Sequence, residues 1–588
     1  MSGISGGTVS EESIREMTED IGGLAEESTC IHADADGGIG ISYPVEDEKG
    51  ATTWTDGKKS GVVYGAITNL SELGLSHAEV FESLLERPGE TAASLEGGFL
   101  AVCRDRSEEK YVVVTDKLGS RLPFYTTSGS FRFATSVSAI LEQMDGGQLD
   151  LQAVSDMLLM GHLWGDRTLI KEITAVRPSH VLEFSDGTVS THRYWVPDYE
   201  EHEPGEAYLS ELVKRYRRAV QRGQKTFSGD AGLWLSGGLD SRSTAAALAE
   251  VRGESAITAY TYDANPPVGI NPELAAEVAA ELGFDHREIP LNAETFNDAL
   301  ERSIEAVDGM IAWNDLQNIT TTYGVEQSPP VMMEGMQGEL LGDHLLRPHV
   351  DKYASAVGSQ FASEASATTE EVERVLSPDV DPMVTFRNEA ETSPPSSIKG
   401  KIKDIHIQNY YSRRTLASNK IIRDVSGERT LHADGEYIEW CAKLPHSYRK
   451  GAITWGNTDI PFETTRAKLG LIRRLSPPLA EITYERTRLK PTLPYHAHVL
   501  GFFSSVAFER MVSKPTYGGG QLTDLWIRDR DSEIHETISG LIDDARNRPL
   551  FEGNAVTELF ESHMNGSNGS GMLARITTLE LWLQNNFD

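Results

Sequence analysis

Six residues between an apolar run and an alanine-rich one, Ser236-Gly-Gly-Leu-Asp-Ser241, bring together the groups that hold a phosphate. Ala231 to Leu235 reads as a strand, and a segment of strong helix propensity begins at Asp240, so the pattern is strand, tight loop, helix. Gly237 and Gly238 lack a Cβ and let backbone N–H groups approach an anion, while Ser236 and Ser241 add hydroxyl donors. The positive end of the following helix points at the same place. Asp240 is the odd member: a carboxylate beside phosphate is repulsive unless a divalent cation lies between them, so its position calls for Mg²⁺.

The flanking elements have to present this loop. Glu206 to Arg222 is an amphipathic helix, Ser255 to Tyr262 a second apolar strand, Glu273 to Leu282 a helix, His286 to Leu291 a third strand and Val331 to Met333 another. Such alternation predicts a parallel sheet with right-handed crossovers, with ligand at the C-terminal strand ends. Beyond it the chain reads as mostly helical, with an acidic helical stretch in Asp351 to Asn388 and a last amphipathic helix from Leu573 to Leu583. Ser393 to Ser397, Gly518 to Gly520 and Asn565 to Gly571 read as loops or linkers. Before it, Gly38 to Tyr43, Ser60 to Ile67, Phe99 to Arg104, Lys110 to Thr115 and Phe131 to Thr135 read as strands of a β-rich domain. The expected organisation is an acidic helical or disordered leader over 1–30, the β-rich domain over 31–195, and the α/β unit over 205–588.

The 588 residues allow two to four domains, and 39% hydrophobic content is ample for their cores. No apolar stretch is long enough to span a bilayer, and the polar N-terminus lacks the regions of a signal peptide, which predicts a cytoplasmic protein. Cys30, Cys103 and Cys441 are too scattered for a disulfide framework or a CxxC metal site. The net charge of −35 is spread along the chain; it argues against nucleic-acid and membrane partners and predicts a surface adapted to high salt. The alternative is a basic partner.

The loop has no Walker lysine. As S-G-G-x-D-S it resembles the pyrophosphate loop of the N-type ATP pyrophosphatases. With the β-rich first domain, the chain is similar to the asparagine synthetase family, class B-like, over about Gly38 to Leu583. Leu95-Glu-Gly-Gly-Phe99, Asp116 to Tyr125 and Phe133-Ala-Thr-Ser136 resemble motifs of its amidotransferase domain, and Arg429-Thr-Leu-His-Ala-Asp434 resembles R-x-P-F-L-D in its synthetase domain. Arg429 and Asp434 are spaced to form a charge pair, either as a brace or in contact with substrate. The implied fold is α/β, α+β overall: an Ntn-hydrolase-like β-sandwich followed by a parallel-sheet ATP pyrophosphatase domain with a largely helical C-terminal half.

The family's glutaminase uses an N-terminal cysteine; here Met1 is followed by Ser2, and Tyr64-Gly65 replaces the oxyanion-hole Asn-Gly, although Asn69 matches the later Asn. The expectation is an inactive relic, as in β-lactam synthetases and lasso-peptide cyclases. The resemblance implies an AMP-forming ligase that activates a carboxylate as acyl-adenylate and passes it to ammonia or an amine, using ATP and Mg²⁺. Ser236, Gly237, Gly238, Asp240 and Ser241 would hold pyrophosphate, and Thr258 would begin the strand whose backbone contacts adenine. In Glu334-Gly-Met-Gln-Gly-Glu-Leu-Leu-Gly342, likened to the family's G-x-G-x-D-E-x-x-G, Glu339 falls on the metal-binding aspartate and would share Mg²⁺ with Asp240. Met336 falls where relatives carry a proton-exchanging side chain. Lys490 is the expected catalytic lysine, with Arg486 and Arg488 as alternatives. His496-Ala-His498 and Asp343-His344 hint at metal ligation, but no third ligand has a convincing spacing, so they read as structural or solvated. A small-molecule or glycan acid, ring closure within one substrate, a homodimer and a non-catalytic nucleotide-binding scaffold all stay open.

Overall fold

The computed structural model describes residues 2–22, 27–253, 256–263, 270–455, 458–462, 464–512 and 522–588. Its first half is a sandwich of two six-stranded sheets. One has the order Thr174–Ala175, Phe124–Thr126, Arg132–Ala134, Gly3–Gly7, Gly37–Pro44, Glu27–Asp34; the other runs Thr188–Arg193, His180–Ser185, Lys110–Thr115, Phe99–Asp105, Lys59–Gly65, Ala51–Thr55. Side chains alternate across each strand, so Ile4, Ile39 and Ile41 meet Val62, Leu100, Val102 and Val113 between the sheets. Helices His77–Glu86 and Pro88–Ser94 cover the outer face of the second sheet with Phe81, Leu84 and Ala92.

Residues 1–30 are not a leader. Gly3–Gly7 lies inside the first sheet, paired on both edges with Gly37–Pro44 and Arg132–Ala134, and helix Glu11–Ile21 packs on it through Ile14 and Met17. Glycines at 3, 6 and 7 hid this strand, because they carry no alternating apolar signal; any Cβ at Gly6 would lie 2.5 Å from Gly38 O and from the Phe133 ring.

The second half is built on a five-stranded, wholly parallel sheet ordered Asp285–Glu288, Ile257–Thr261, Ala231–Trp234, Val331–Met333, Gly427–Arg429. Chain order reverses at Ala231–Trp234, which makes the end of that strand a switch point. Helices Glu206–Gly223, Leu239–Arg252 and Asn271–Leu282 flank the sheet. Gly427–Arg429 is a strand where only a motif was expected. The acidic stretch forms three helices, Ala356–Glu364, Thr369–Val375 and Val384–Thr392, and the last helix is Ser570–Phe587. The expected loop Gly518 to Gly520 lies outside the described residues.

The boundary near 195–205 does not separate two cores. One apolar cluster joins Phe124, Leu158 and Trp164 of the first half to Trp313, Ile402, Leu579 and Trp582 of the second. Buried ion pairs cross the same seam: Asp47 with Arg429 (2.6 Å), Arg121 with Glu428 (2.9 Å), and Arg193 with Asp404 (2.8 Å). Arg429 and Asp434 therefore do not pair with each other. Asp434 instead binds Arg222 at 2.6 Å and caps helix Gly435–Ala442. Among the described residues no helix is long and apolar enough to cross a membrane.

Candidate functional site

The apolar strand ends at Trp234, and Ser236-Gly237-Gly238 turns directly into helix Leu239–Arg252 with Gly238 as N-cap. Gly238 offers no side-chain cap, which leaves the first N–H groups of the helix available to an anion. Ser241 Oγ accepts from Ser236 N (3.0 Å) and lies 2.9 Å from Ser236 Oγ, and Gly238 N donates to Ser236 Oγ (3.1 Å). The two hydroxyls thus shape the loop before any ligand arrives. Asn271 Oδ1 receives Gly237 N at 2.7 Å.

Two further segments close on the loop. Arg242, fully buried, donates to the carbonyls of Gly237 (3.0 Å), Leu479 (3.1 Å), Ile482 (2.9 Å) and Thr483 (2.8 Å), which lashes the 479–485 segment to it. The turn after Val331–Met333 comes in from the other side: a Cβ at Gly335 would lie 2.6 Å from Ser241 Cα. One at Gly338 would lie 2.7 Å from Asp240 Oδ2 and 3.1 Å from Asp343 Oδ2. Glycine at 338 leaves room between two carboxylates.

The Lys468 ammonium occupies that space. It stands 2.6 Å from Asp240 Oδ2 and is hydrogen-bonded to Asp343 Oδ2, while Lys450 lies 3.6 Å from Asp343 Oδ1. Burial and Asp343 push the Asp240 carboxyl up, against the pull of Lys468. Burial opposes charge on Asp343 as well, but Lys468 and Lys450 outweigh it and hold that carboxyl below the usual range. The two lysines on Asp343, against one shared by Asp240, account for the opposite directions. Burial disfavours charge on Lys468, yet the paired carboxylates raise its pKa.

Glu339 faces the same chamber: burial and the charges of Asp343 and Asp240 raise its pKa, and Thr415 Oγ1 donates to its Oε1 at 3.4 Å. Glu334 Oε2 has no hydrogen-bond partner, and burial together with Glu339 pushes this group up to about 8. Asp240 Oδ1 is likewise buried without a hydrogen-bond partner. Asp240, Asp343 and Glu339 around the Lys468 ammonium, with Asp240 Oδ1 orphaned, offer the oxygen donor chemistry that suits Mg²⁺.

Of the other expected residues, Lys490 does not reach the chamber. It is solvent-exposed and paired with Glu481 at 3.2 Å, because the turn at Tyr484 to Leu489 points it outward. Arg486 is the member of that segment whose charge bears on Asp343 and Tyr484. Thr258 pairs with Gly232 near the start of its strand, well below the loop; Thr261 is the residue at the mouth, its Oγ1 donating to Leu235 O at 2.7 Å. Lys468 was missed, and Asp343, noticed only beside His344 as a weak hint of metal ligation, was read as structural or solvated. Lys468 lies in Arg466–Leu475, whose amphipathic pattern reads as an ordinary helix, and Asp343 falls just past the motif. His498 is structural: it is fully buried and its Nδ1 lies 2.9 Å from Thr487 Oγ1.

In the first half the motif residues serve the fold. Asp116 accepts from Leu118 N and Ser120 N, and Asn69 clips the Leu95 to Phe99 turn through Ser94 O and Glu96 N. Ser2 is buried, its Oγ and N both donating to Arg423 O at 3.3 and 3.1 Å. Beside it Arg121 lies over the Tyr64 ring at 4.9 Å, and the cavity these residues line is ≈ 30 Å³.

Residues 70–195 match the model of a glutamine amidotransferase domain, and residues 213–324 that of asparagine synthase. Asparagine synthetase [glutamine-hydrolyzing] 3 of Bacillus subtilis (strain 168) is 28% identical over 191 residues, 31% of each chain. The match thus spans under a third of that relative's length. A glutamine phosphoribosylpyrophosphate amidotransferase from B. subtilis complexed with ADP and GMP has 13% identity, covering 57% of this chain and 81% of that one with a TM-score of 0.24. The allosteric regulatory enzyme of purine biosynthesis has 11% identity, 49% and 80% coverage and a TM-score of 0.23. These two likenesses are too slight to bear on function. A match to an amidotransferase domain followed by a match to an asparagine synthase domain is the arrangement by which the chain resembles the asparagine synthetase family.

Proposed function

We propose that this protein is an ATP-dependent, AMP-forming amide ligase that activates a carboxylate as its acyl-adenylate and transfers the acyl group to ammonia or an amine. The observation that carries the reading is the convergence of the Ser236 to Ser241 loop, Asp240, Asp343 and Lys468 at the switch point of the parallel sheet. The loop N–H groups and the Ser236 and Ser241 hydroxyls hold the leaving pyrophosphate. Asp240 and Asp343, with Glu339 behind them, would hold Mg²⁺, which neutralises phosphate charge when bound. Lys468 takes the role expected of Lys490: its ammonium stabilises charge that develops on the phosphates and on the oxyanion formed as nitrogen attacks. Arg486 adds positive field on the same side.

The nitrogen does not come from glutamine in this reading. The Ser2 hydroxyl is engaged with Arg423 O, and a cavity of ≈ 30 Å³ beside it has room for about one water, not for a glutamine side chain. The test is pyrophosphate and AMP release from Mg²⁺-ATP across a panel of carboxylic acids, with ammonium, an amine or glutamine as donor. Carboxylate-dependent pyrophosphate with ammonium or amine, and no glutamate from glutamine, is expected. Absence of carboxylate-dependent pyrophosphate throughout the panel overturns the proposal.

A further inference from the structure

Immediately after Asp343 the chain supplies His344, whose Nε2 lies 2.9 Å from Glu364 Oε1. Glu364 closes helix Ala356–Glu364, and His406 closes helix Ile398–His406 just before a π-helical stretch, Ile407–Leu416. One ligand-type atom from each of the three lies within 4.8 Å of the other two, the only such group among the described residues. The His406 ring is parallel to that of His344 within 8°, at 5.2 Å, and Tyr410 stacks on His344 at 3.6 Å. His406 is only 3% exposed, and neither of its ring nitrogens has a hydrogen-bond partner. A buried imidazole with both nitrogens orphaned is destabilising unless something binds it. The nucleotide chamber does not use this group.

We propose that His344, Glu364 and His406 form a second metal site, for a divalent ion of the zinc type. Two imidazoles and one carboxylate are a zinc donor set, whereas Mg²⁺ takes oxygen ligands and keeps its waters. Bonds of about 2.0–2.1 Å place tetrahedral ligands about 3.4 Å apart, so the side chains draw together by small torsional changes on loading. The orphaned nitrogens of His406 then gain a partner. Three protein ligands leave a fourth position open for water or a substrate oxygen or nitrogen. The π-helical stretch that follows His406 brings Tyr410 against His344 and fixes that ring, in keeping with the frequent use of π turns at functional sites. The sequence hinted at His344 beside Asp343 but not at its partners, because Glu364 lies 20 positions beyond His344 and His406 another 42 beyond Glu364. Only its distinctness from a Mg²⁺ site rests on the function proposed above.

The full-length protein is incubated with ZnCl₂ in excess MgCl₂, passed through gel filtration, and assayed for metal by mass spectrometry; a cobalt-loaded sample is examined for visible absorption. The wild type is expected to retain about one zinc per chain and to give the intense bands of low-coordinate cobalt. His406→Ala and the isosteric Glu364→Gln retain at least roughly tenfold less, since even outer-shell changes weaken such sites by that factor. Asp240→Asn keeps its zinc. Zinc raises the melting temperature of the wild type and of Asp240→Asn, and leaves that of Glu364→Gln unmoved. Zinc retention equal in wild type and both ligand variants, or a cobalt spectrum like that of the aqueous ion, overturns the proposal. Loss of zinc in Asp240→Asn overturns the claim of a separate site. None of these readouts depends on turnover, so an inactive ligase and an absent zinc site are told apart.

Discussion

At the scale of residues, the consequential contact is the Lys468 ammonium between Asp240 and Asp343. Removing one member of a buried ion cluster leaves uncompensated charge, so Lys468→Met is expected to cost about 3 kcal/mol of stability in metal-free buffer. Mg²⁺ should restore part of that loss, because a cation then stands between the same carboxylates. Turnover falls by about 3 kcal/mol in barrier height, whereas exposed Lys490→Met stays near wild type. Melting curves with and without Mg²⁺, beside pyrophosphate release, decide it; equal effects from the two lysines would reject the assignment. Glu334 supplies a pH signature. Its pKa rises from the ordinary 4.5 to about 8 on folding, so its contribution is fully present below pH 4.5 and is lost as pH climbs to about 8. Gln cannot ionise. Ligand-free Glu334→Gln should therefore melt with the wild type near pH 4.5 and above it at pH 8, and a gap independent of pH would contradict this.

At the scale of elements, Arg242 ties the phosphate loop to the 479–485 segment through four carbonyls. Burial lowers its pKa to about 10, which still leaves it charged at neutral pH. Hydrogen bonds to a charged donor contribute about 1.5–3 kcal/mol each, and orphaned carbonyls add a penalty. Arg242→Met is expected to lower stability by about 3 kcal/mol, speed amide exchange across 479–489, and weaken ATP binding more than it slows bound-state turnover. Unchanged exchange in that segment would rule out the clip. The sequence made the loop and its strand and helix plain, since Gly, Ser and Asp in register have local meanings. It concealed what depends on packing: Arg242 reads as one more helix arginine and Lys468 as one of several basic residues of Arg466–Leu475. Lys490 looked apt by its place in a motif, yet orientation is set by the turn before it. The strand Gly3–Gly7 was illegible because three of its five residues are glycine.

At the scale of the whole molecule, the two halves act as one body because Asp47 to Arg429, Arg121 to Glu428 and a shared apolar core cross their seam. Those pairs are shielded from solvent and from salt. The net charge of −35 is not. Helix Glu11–Ile21 buries Ile14, Met17 and Ile21 while Glu11, Glu12, Glu16 and Glu19 stay exposed, and Glu370, Glu371 and Glu373 do the same on Thr369–Val375. Crowded like charges destabilise the compact state, and the repulsion reaches about 10 Å at 0.1 M salt but only about 3 Å at 1 M. Added KCl should thus remove surface repulsion and spare the buried pairs. The melting temperature is expected to climb steadily from dilute buffer into the molar range, with KCl chosen over sulfate so that general salting-out contributes little. Pyrophosphate release should follow the same trend. Structure and activity equally well kept in dilute buffer and in molar KCl would defeat the idea that this surface is adapted to salt, and would leave a basic partner as the better account of its charge.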